Sequence, residues 1–344
     1  MQCSHSCSAL GAATRPGPRV VRLPYGASTM TGLNVSLSFL LITCGLCEAA
    51  RRAARALLPA GTYISFAQEA AGAFQLVACG LEMRALADVG PWAAGVGPDL
   101  LLTLLFLLFL LHGATLDGAL GNPAVALQEL LLAEASLPST LLKLVAQGLG
   151  VMAARALTLC CWAWELSELH LLQNLMAAHC SSTLRTSVPH GALLEAAGTF
   201  IFHLGLLYLR RSLPARRVPA LALLATFTTH TAGPYTSAFF NPALATSATF
   251  HCEGHTLVEY AQVYWLGPLA GMVLAVLLHE GHLPGLFQTN LLYRPKNKYR
   301  APPRGRLVPP SSRARDRETQ ALPDSGRGRV GGAWFGAWFA PTED

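Results

Sequence analysis

With 344 residues, 52% of them hydrophobic and only 13% charged, and a mean hydropathy of +0.39, the chain has too few charges for an ordinary water-soluble domain. The net charge of +6 resides in the segment from residue 294 onward, and the rest of the chain is balanced. A basic tail beside a membrane reads as a cytoplasmic flank or a weak contact with anionic lipid, so a polytopic membrane protein is expected and a nucleic-acid partner is not.

In chain order, residues 1–32 lack a sustained apolar period and the long apolar core of a signal peptide, and are expected to be a disordered extension, with Met30 an alternative start. Residues 33–58 form an apolar to amphipathic helix closed by Glu48, Arg51, Arg52 and Arg55. Its apolar run, 33–47, is short for a span, so it either crosses with help from its continuation or lies partly in the interface. Cys44 and Cys47 have C-x-x-C spacing, but no second cysteine pair or histidine pair near them in the chain completes a metal site. The sequon Asn34-Val35-Ser36 abuts the apolar run and lies too close to the membrane to be glycosylated.

Residues 63–161 read as a first repeat, with apolar segments at 63–83, 100–111 and 138–161 and a piece at 125–135 that is too short to cross. Residues 162–190 are a polar connection, with Trp162 and Trp164 suited to the interface. Cys44, Cys47, Cys79, Cys160 and Cys161 lie inside apolar runs and read as packed thiols, whereas Cys180 and Cys252 sit in polar connections and could pair in an oxidising lumen. The second repeat, 191–282, has segments at 191–209, 218–231 and 258–278 and a short piece at 244–250. Residues 283–344 are expected to be a disordered cytoplasmic tail, whose Trp334-Phe335-Gly336-Ala337-Trp338-Phe339 reads as an unstructured end, with a docking motif as the alternative. The positive-inside rule places the Arg51–Arg55 loop, the Arg210, Arg211, Arg216 and Arg217 loop and the tail in the cytoplasm.

Two pairs of motifs mark the repeat. Glu69-Ala70-Ala71-Gly72-Ala73-Phe74 is nearly copied as Glu195-Ala196-Ala197-Gly198-Thr199-Phe200, and each copy precedes its own Asn-Pro-Ala, Asn122-Pro123-Ala124 or Asn241-Pro242-Ala243. Asn is a strong helix N-cap and Pro fits the first helical position, so each tripeptide starts a short helix. The Asn oxygen would be held by the first turn and its NH2 would point outward with two donors. An odd number of spans per repeat inverts the second relative to the first, so the two helix starts meet head to head at the midplane. A glutamate at membrane depth is expensive unless paired, and Glu69 and Glu195 are therefore expected to accept hydrogen bonds from the backbone of the re-entrant loops.

These boxes, with the Glu-x-x-x-x-Phe segments, Asp117-Gly118 and Thr236, resemble the aquaporin family. The stretches Leu33-Asn34-Val35-Ser36-Leu37-Ser38-Phe39, Ser237 to Leu244 and Val263-Tyr264-Trp265-Leu266-Gly267-Pro268 resemble its unorthodox intracellular branch, the superaquaporins. The resemblance implies an all-α membrane protein, with an inverted repeat of six spanning helices plus two re-entrant half-helices; the helix at 33–58 is additional to it. It also implies a homotetramer in an intracellular bilayer, such as the endoplasmic reticulum or secretory vesicles, that passes water and small neutral solutes.

By spacing from the boxes, the selectivity constriction falls on Leu102, Thr229, Ala238 and Leu244, with Leu244 where water-selective members carry an arginine. His230 is one residue from the expected histidine position and turned about 100° away. His112, His203 and His279 read as satisfied core or interface histidines, and no metal site, cofactor or catalytic residue is expected. The rival readings are a glycerol- or peroxide-type solute channel and a non-conducting membrane scaffold. An enzyme lacks support, because no nucleophile–base pair stands out.

Overall fold

The computed structural model describes residues 25–281 apart from 60, 117, 118, 178 and 179. Asp117-Gly118, the first 24 residues and the tail from 282, with its aromatic run, lie outside the described residues. The described chain is built from helices: α1 (Tyr25–Leu57), α2 (Thr62–Asp88), the short α3 (Gly90–Ala93), α4 (Pro98–Thr115), α5 (Pro123–Leu131), α6 (Leu137–Ala163), α7 (Glu168–Ala177), α8 (Val188–Leu209), α9 (Pro214–Thr236), α10 (Pro242–Thr249), α11 (Leu257–Ala261) and α12 (Gly267–His279). A π-helical turn, Gln262–Leu266, joins α11 to α12. Proline opens α4, α5, α9 and α10, where its missing N–H would have had no partner within the helix.

Five of these stretches are long and apolar enough to cross a membrane: Gly32–Leu57, Pro98–Thr115, Leu137–Ala163, Val188–Leu209 and Leu257–His279. α2 and α9, with 27 and 23 residues, reach about 40 and 35 Å at about 1.5 Å per residue, also enough to span. Their apolar signal is diluted by Glu69, Glu82 and Arg84 in α2 and by Arg216, Arg217 and a series of threonines in α9. The protein is an all-α polytopic membrane protein.

The first correction concerns α1. It is helical from Tyr25, inside the stretch expected to be disordered, and its 33 residues carry the apolar run well past the length of a span. The charges at its end are held by partners within the protein. Glu48 pairs with Arg51 (3.1 Å) and Arg52 (2.7 Å) one turn on. Arg51 is fully buried, and its Nη2 also donates to Gln75 Oε1 of α2 (2.8 Å) and to the Thr115 carbonyl of α4 (2.7 Å). The additional helix is therefore docked on the bundle by polar contacts as well as packing.

Smaller differences have local causes. α5 stops at Leu131, short of the expected 135, because Ala133 turns left-handed (φ 56°). α9 extends beyond 218–231 at both ends and keeps Pro219 and Pro234 inside it. The connection 162–190 contains α7. Trp162 is buried and donates to Glu82 (2.8 Å), whereas Trp164 is exposed. Cys180 and Cys252 form a disulfide.

The two repeats are packed alike. α2 lies on α6 and α8 on α12, and each crossing is set by a glycine against a carbonyl. A Cβ at Gly150 would lie 2.3 Å from the Ala70 oxygen, and one at Gly271 would lie 2.1 Å from the Ala196 oxygen. Ala70 and Ala196 hold the same position in the two Glu-Ala-Ala-Gly copies. Such contacts, too close for any side chain, are how helices approach one another in a membrane. α4 packs on α9 between these pairs, and α5 and α10 meet in the middle.

Candidate functional site

The centre of the bundle is where α5 and α10 meet by their N-termini. Each is capped by its asparagine: Asn122 Oδ1 accepts from Ala124 N–H (2.9 Å) and Asn241 Oδ1 from Ala243 N–H (3.0 Å). The amide nitrogens reach across. Asn122 Nδ2 donates to the Phe240 carbonyl (3.2 Å), and Asn241 Nδ2 donates to the Gly121 carbonyl (3.1 Å). Each asparagine thus bonds the residue just before the other. The expected two outward donors are reduced to one apiece, because the second is spent joining the halves.

The loops entering this junction hang from two buried carboxylates. Glu69 accepts from the N–H groups of Leu120 (3.1 Å) and Gly121 (3.2 Å) and from Gln147 Nε2 (2.9 Å). Glu195 accepts from Phe239 N–H (3.2 Å), Phe240 N–H (2.8 Å) and the Thr236 hydroxyl (2.6 Å). Backbone donors that could find no water at this depth are thereby satisfied. Phe240 is left-handed (φ 48°), as Gly121 is (φ 58°) in the equivalent place, and its ring covers Gly198, where a Cβ would meet it at 2.0 Å.

The four positions assigned by spacing to a constriction fall on four elements. Leu102 of α4 and Thr229 of α9 are half-buried, and Ala238 is buried in the loop before α10. Leu244 of α10 turns its side chain onto α2, so that a Cβ at Gly80 would lie 2.8 Å from its Cδ1. His230 is exposed.

A residue that sequence reading passed over stands beside this region. Arg84 of α2, one turn beyond Gly80, places its guanidinium 5.7 Å from the Phe239 ring centre and its Nη1 3.5 Å from the Ser237 hydroxyl, and it pairs with Asp88 at 3.3 Å. Nothing local in the chain joins position 84 to positions 237–239; only the repeat geometry does. Partial desolvation, with like charge from Arg155 and Arg84, pushes the pKa of His251, in the loop after α10, down to about 4. That histidine is neutral at pH 7.

The remaining residues sort as follows. His203 is bonded to Gln128, and His279 pairs with Glu280 (3.0 Å). Ser36 of the sequon is fully buried and donates to Glu82 (2.5 Å), so its hydroxyl is already engaged. His112, expected to be satisfied, has neither ring nitrogen hydrogen-bonded, which corrects that expectation, and it lies with the buried thiols Cys44 and Cys79.

Comparison with known proteins agrees with this geometry. The family model described as Major intrinsic protein matches residues 99–279. The chain is 71% identical over 282 residues to aquaporin-12 of Mus musculus, covering 82% of this chain and 97% of that one. It is 31% identical over 264 residues to aquaporin-11 of Equus caballus and, equally, of Homo sapiens, covering 77% of this chain and 94% of each.

Proposed function

The chain belongs to the major intrinsic protein family of membrane channels, and from that premise we propose that it passes water and small neutral solutes, passively and in both directions, across an intracellular membrane. The observation that carries this reading is the reciprocal bonding of Asn122 and Asn241, which holds two half-helix starts face to face with one amide donor left on each. Two dipole ends, each equivalent to about half a positive charge, repel cations at such a point. A solute that keeps its hydrogen bonds with the remaining donors crosses in file, while an ion loses hydration that an apolar throat does not replace.

In this reading Leu102, Thr229, Ala238 and Leu244 form a constriction without a fixed charge, and Arg84 supplies positive charge at its rim. That favours solutes somewhat larger than water as additional cargo, of glycerol or peroxide type.

The proposed orientation is supported by which helix ends share a side. Arg51 meets the end of α4 and Arg210 pairs with Glu134 beside the α5–α6 turn, which supports a cytoplasmic face rich in arginine. The Cys180–Cys252 disulfide and the Arg185–Asp88 pair (3.6 Å) lie at the opposite helix ends, as suits an oxidising lumen. The tail from residue 282 then follows α12 into the cytoplasm. The homotetramer rests on the family resemblance, and cross-linking in native membranes tests it.

Stopped-flow volume change of proteoliposomes, with water, glycerol and hydrogen peroxide compared, is the deciding measurement. Permeation several-fold above empty liposomes is expected, and Leu244→Arg should reduce glycerol flux more than water flux. Permeation equal to that of empty liposomes, with incorporation verified, would leave the scaffold reading in its place. An unchanged glycerol-to-water ratio in Leu244→Arg would remove residue 244 from the constriction.

A further inference from the structure

Cys44 of α1, Cys79 of α2 and His112 of α4 bring two sulfurs and an imidazole nitrogen within 4.8 Å of one another, all three side chains buried. We propose that they form a binding site for a divalent thiophilic cation of the zinc type, which ties the additional helix α1 to two helices of the channel.

Three observations carry the assignment. The first is His112: it is 5% exposed, yet neither ring nitrogen makes a hydrogen bond, at a depth where an unsatisfied polar ring is costly. The nearest groups able to use its lone pair are the site itself. The second is spacing. The sulfurs of Cys44 and Cys79 are 3.8 Å apart, and two thiolates on a tetrahedral zinc at about 2.3 Å each stand about 3.8 Å apart. The third is access. A cavity of about 350 Å³, lined by Cys44, Glu48, Leu111 and Thr115 among others, reaches the Cys44 side of the group between α1 and α4.

Charge selects the ion. A divalent cation with two thiolates and a neutral imidazole is electrically neutral, the cheapest state to hold inside a membrane bundle. A monovalent copper ion on the same ligands would leave one net negative charge among them. Binding exchanges protons for metal: one Zn²⁺ enters, the two thiol protons leave to solvent, and no group is oxidised or reduced. The sulfur lone pairs and one imidazole lone pair become the metal bonds, while the other ring nitrogen keeps its proton. Three protein donors leave a fourth position for a water molecule from that cavity, which keeps the site neutral.

The experiment uses the full chain, purified in detergent under a non-thiol reductant. Zinc is added at increasing pH, with bound metal counted by elemental mass spectrometry and released protons measured in weak buffer. One zinc and two protons per chain are expected, as is thiolate-to-metal charge-transfer absorption when cobalt(II) replaces zinc. Cys44→Ser, Cys79→Ser and His112→Gln should each weaken binding by about 10- to 100-fold or more, while Cys161→Ser should not change it.

If a variant fails to fold, the unmutated chain still decides. Zinc should protect Cys44 and Cys79, and not Cys161, from alkylation read by peptide mass spectrometry. Zinc bound equally well by the variants, no proton release, no protection, or a Cys44–Cys79 disulfide in protein isolated from cells would each overturn the proposal.

Discussion

The two loops that deliver the half-helices to the same junction reach it by different means. In the first, the last residue before the asparagine is Gly121, left-handed at φ 58° and pressed against the backbone of Gly72, so that a Cβ on it would lie 3.2 Å from the Gly72 carbonyl. In the second, three non-glycine residues are left-handed, Ser237 (φ 65°), Ala238 (φ 48°) and Phe240 (φ 48°). Left-handed backbone costs about 1–2 kcal/mol for each residue bearing a Cβ. Among the described residues of the first loop, the left-handed one is glycine and avoids that cost. The second accepts it and offsets it with a tighter set of bonds to Glu195, a hydrogen bond from Ala238 N–H to the Thr236 hydroxyl (3.1 Å), and an aromatic ring over Gly198. A repeat can thus conserve the position of its backbone while exchanging the residues that hold it there.

The sharpest way to break this comparison is to remove the carboxylates. Glu69→Ala leaves two backbone donors and the Gln147 amide without their acceptor, and Glu195→Ala does the same for two backbone donors and a hydroxyl. Each orphaned buried donor costs about 1–3 kcal/mol. Both variants should lose thermal stability heavily, and Glu195→Ala more, since its loop also holds the strained residues. Thermal unfolding in detergent, followed by size-exclusion, measures the difference. A larger loss in Glu69→Ala would show that backbone strain does not distinguish the halves.

Next in size are the glycines beneath the loops. Gly72→Ala brings a methyl to 2.7 Å from the Ala119 Cβ, and Gly198→Ala brings one to 2.0 Å from the Phe240 ring. Overpacking of this kind costs about 1–3 kcal/mol. The cure differs between halves: Ala119→Gly should rescue the first variant and Phe240→Ala the second, each as a non-additive pair in a double-mutant cycle. Full additivity in either cycle would mean that the helix moves rather than the loop residue yielding.

The features legible in the sequence are those written twice or written locally. The two Asn-Pro-Ala helix starts and the two Glu-Ala-Ala-Gly segments needed only their own residues and their repetition. What escaped was decided by partners far along the chain. The docking of α1 was hidden because nothing local to Arg51 points to Gln75 and the Thr115 carbonyl, which receive it. The group at Cys44 joins three helices that no spacing rule connects. The C-x-x-C pattern drew attention to Cys47, whereas the close partner of Cys44 is Cys79, 35 residues away. Arg84 was passed over because the position that usually carries a charge is 244, on another helix.

The smallest expected effect separates the third donor of each carboxylate. Gln147 gives Glu69 one bond, and its own Oε1 is buried without a partner. Gln147→Leu therefore loses a hydrogen bond to a carboxylate but also removes an unsatisfied acceptor, and the two changes nearly cancel. A loss below about 1 kcal/mol is expected. Thr236 does two jobs: its hydroxyl donates to Glu195 and accepts from Ala238 N–H. Thr236→Val keeps the shape but orphans that N–H next to a left-handed residue, so a loss of about 2–3 kcal/mol is expected. Thr236→Ser should restore most of it. If Thr236→Val and Gln147→Leu unfold at the same temperature, the hydroxyl is not bridging carboxylate and loop, and Glu195 alone must hold the second half together.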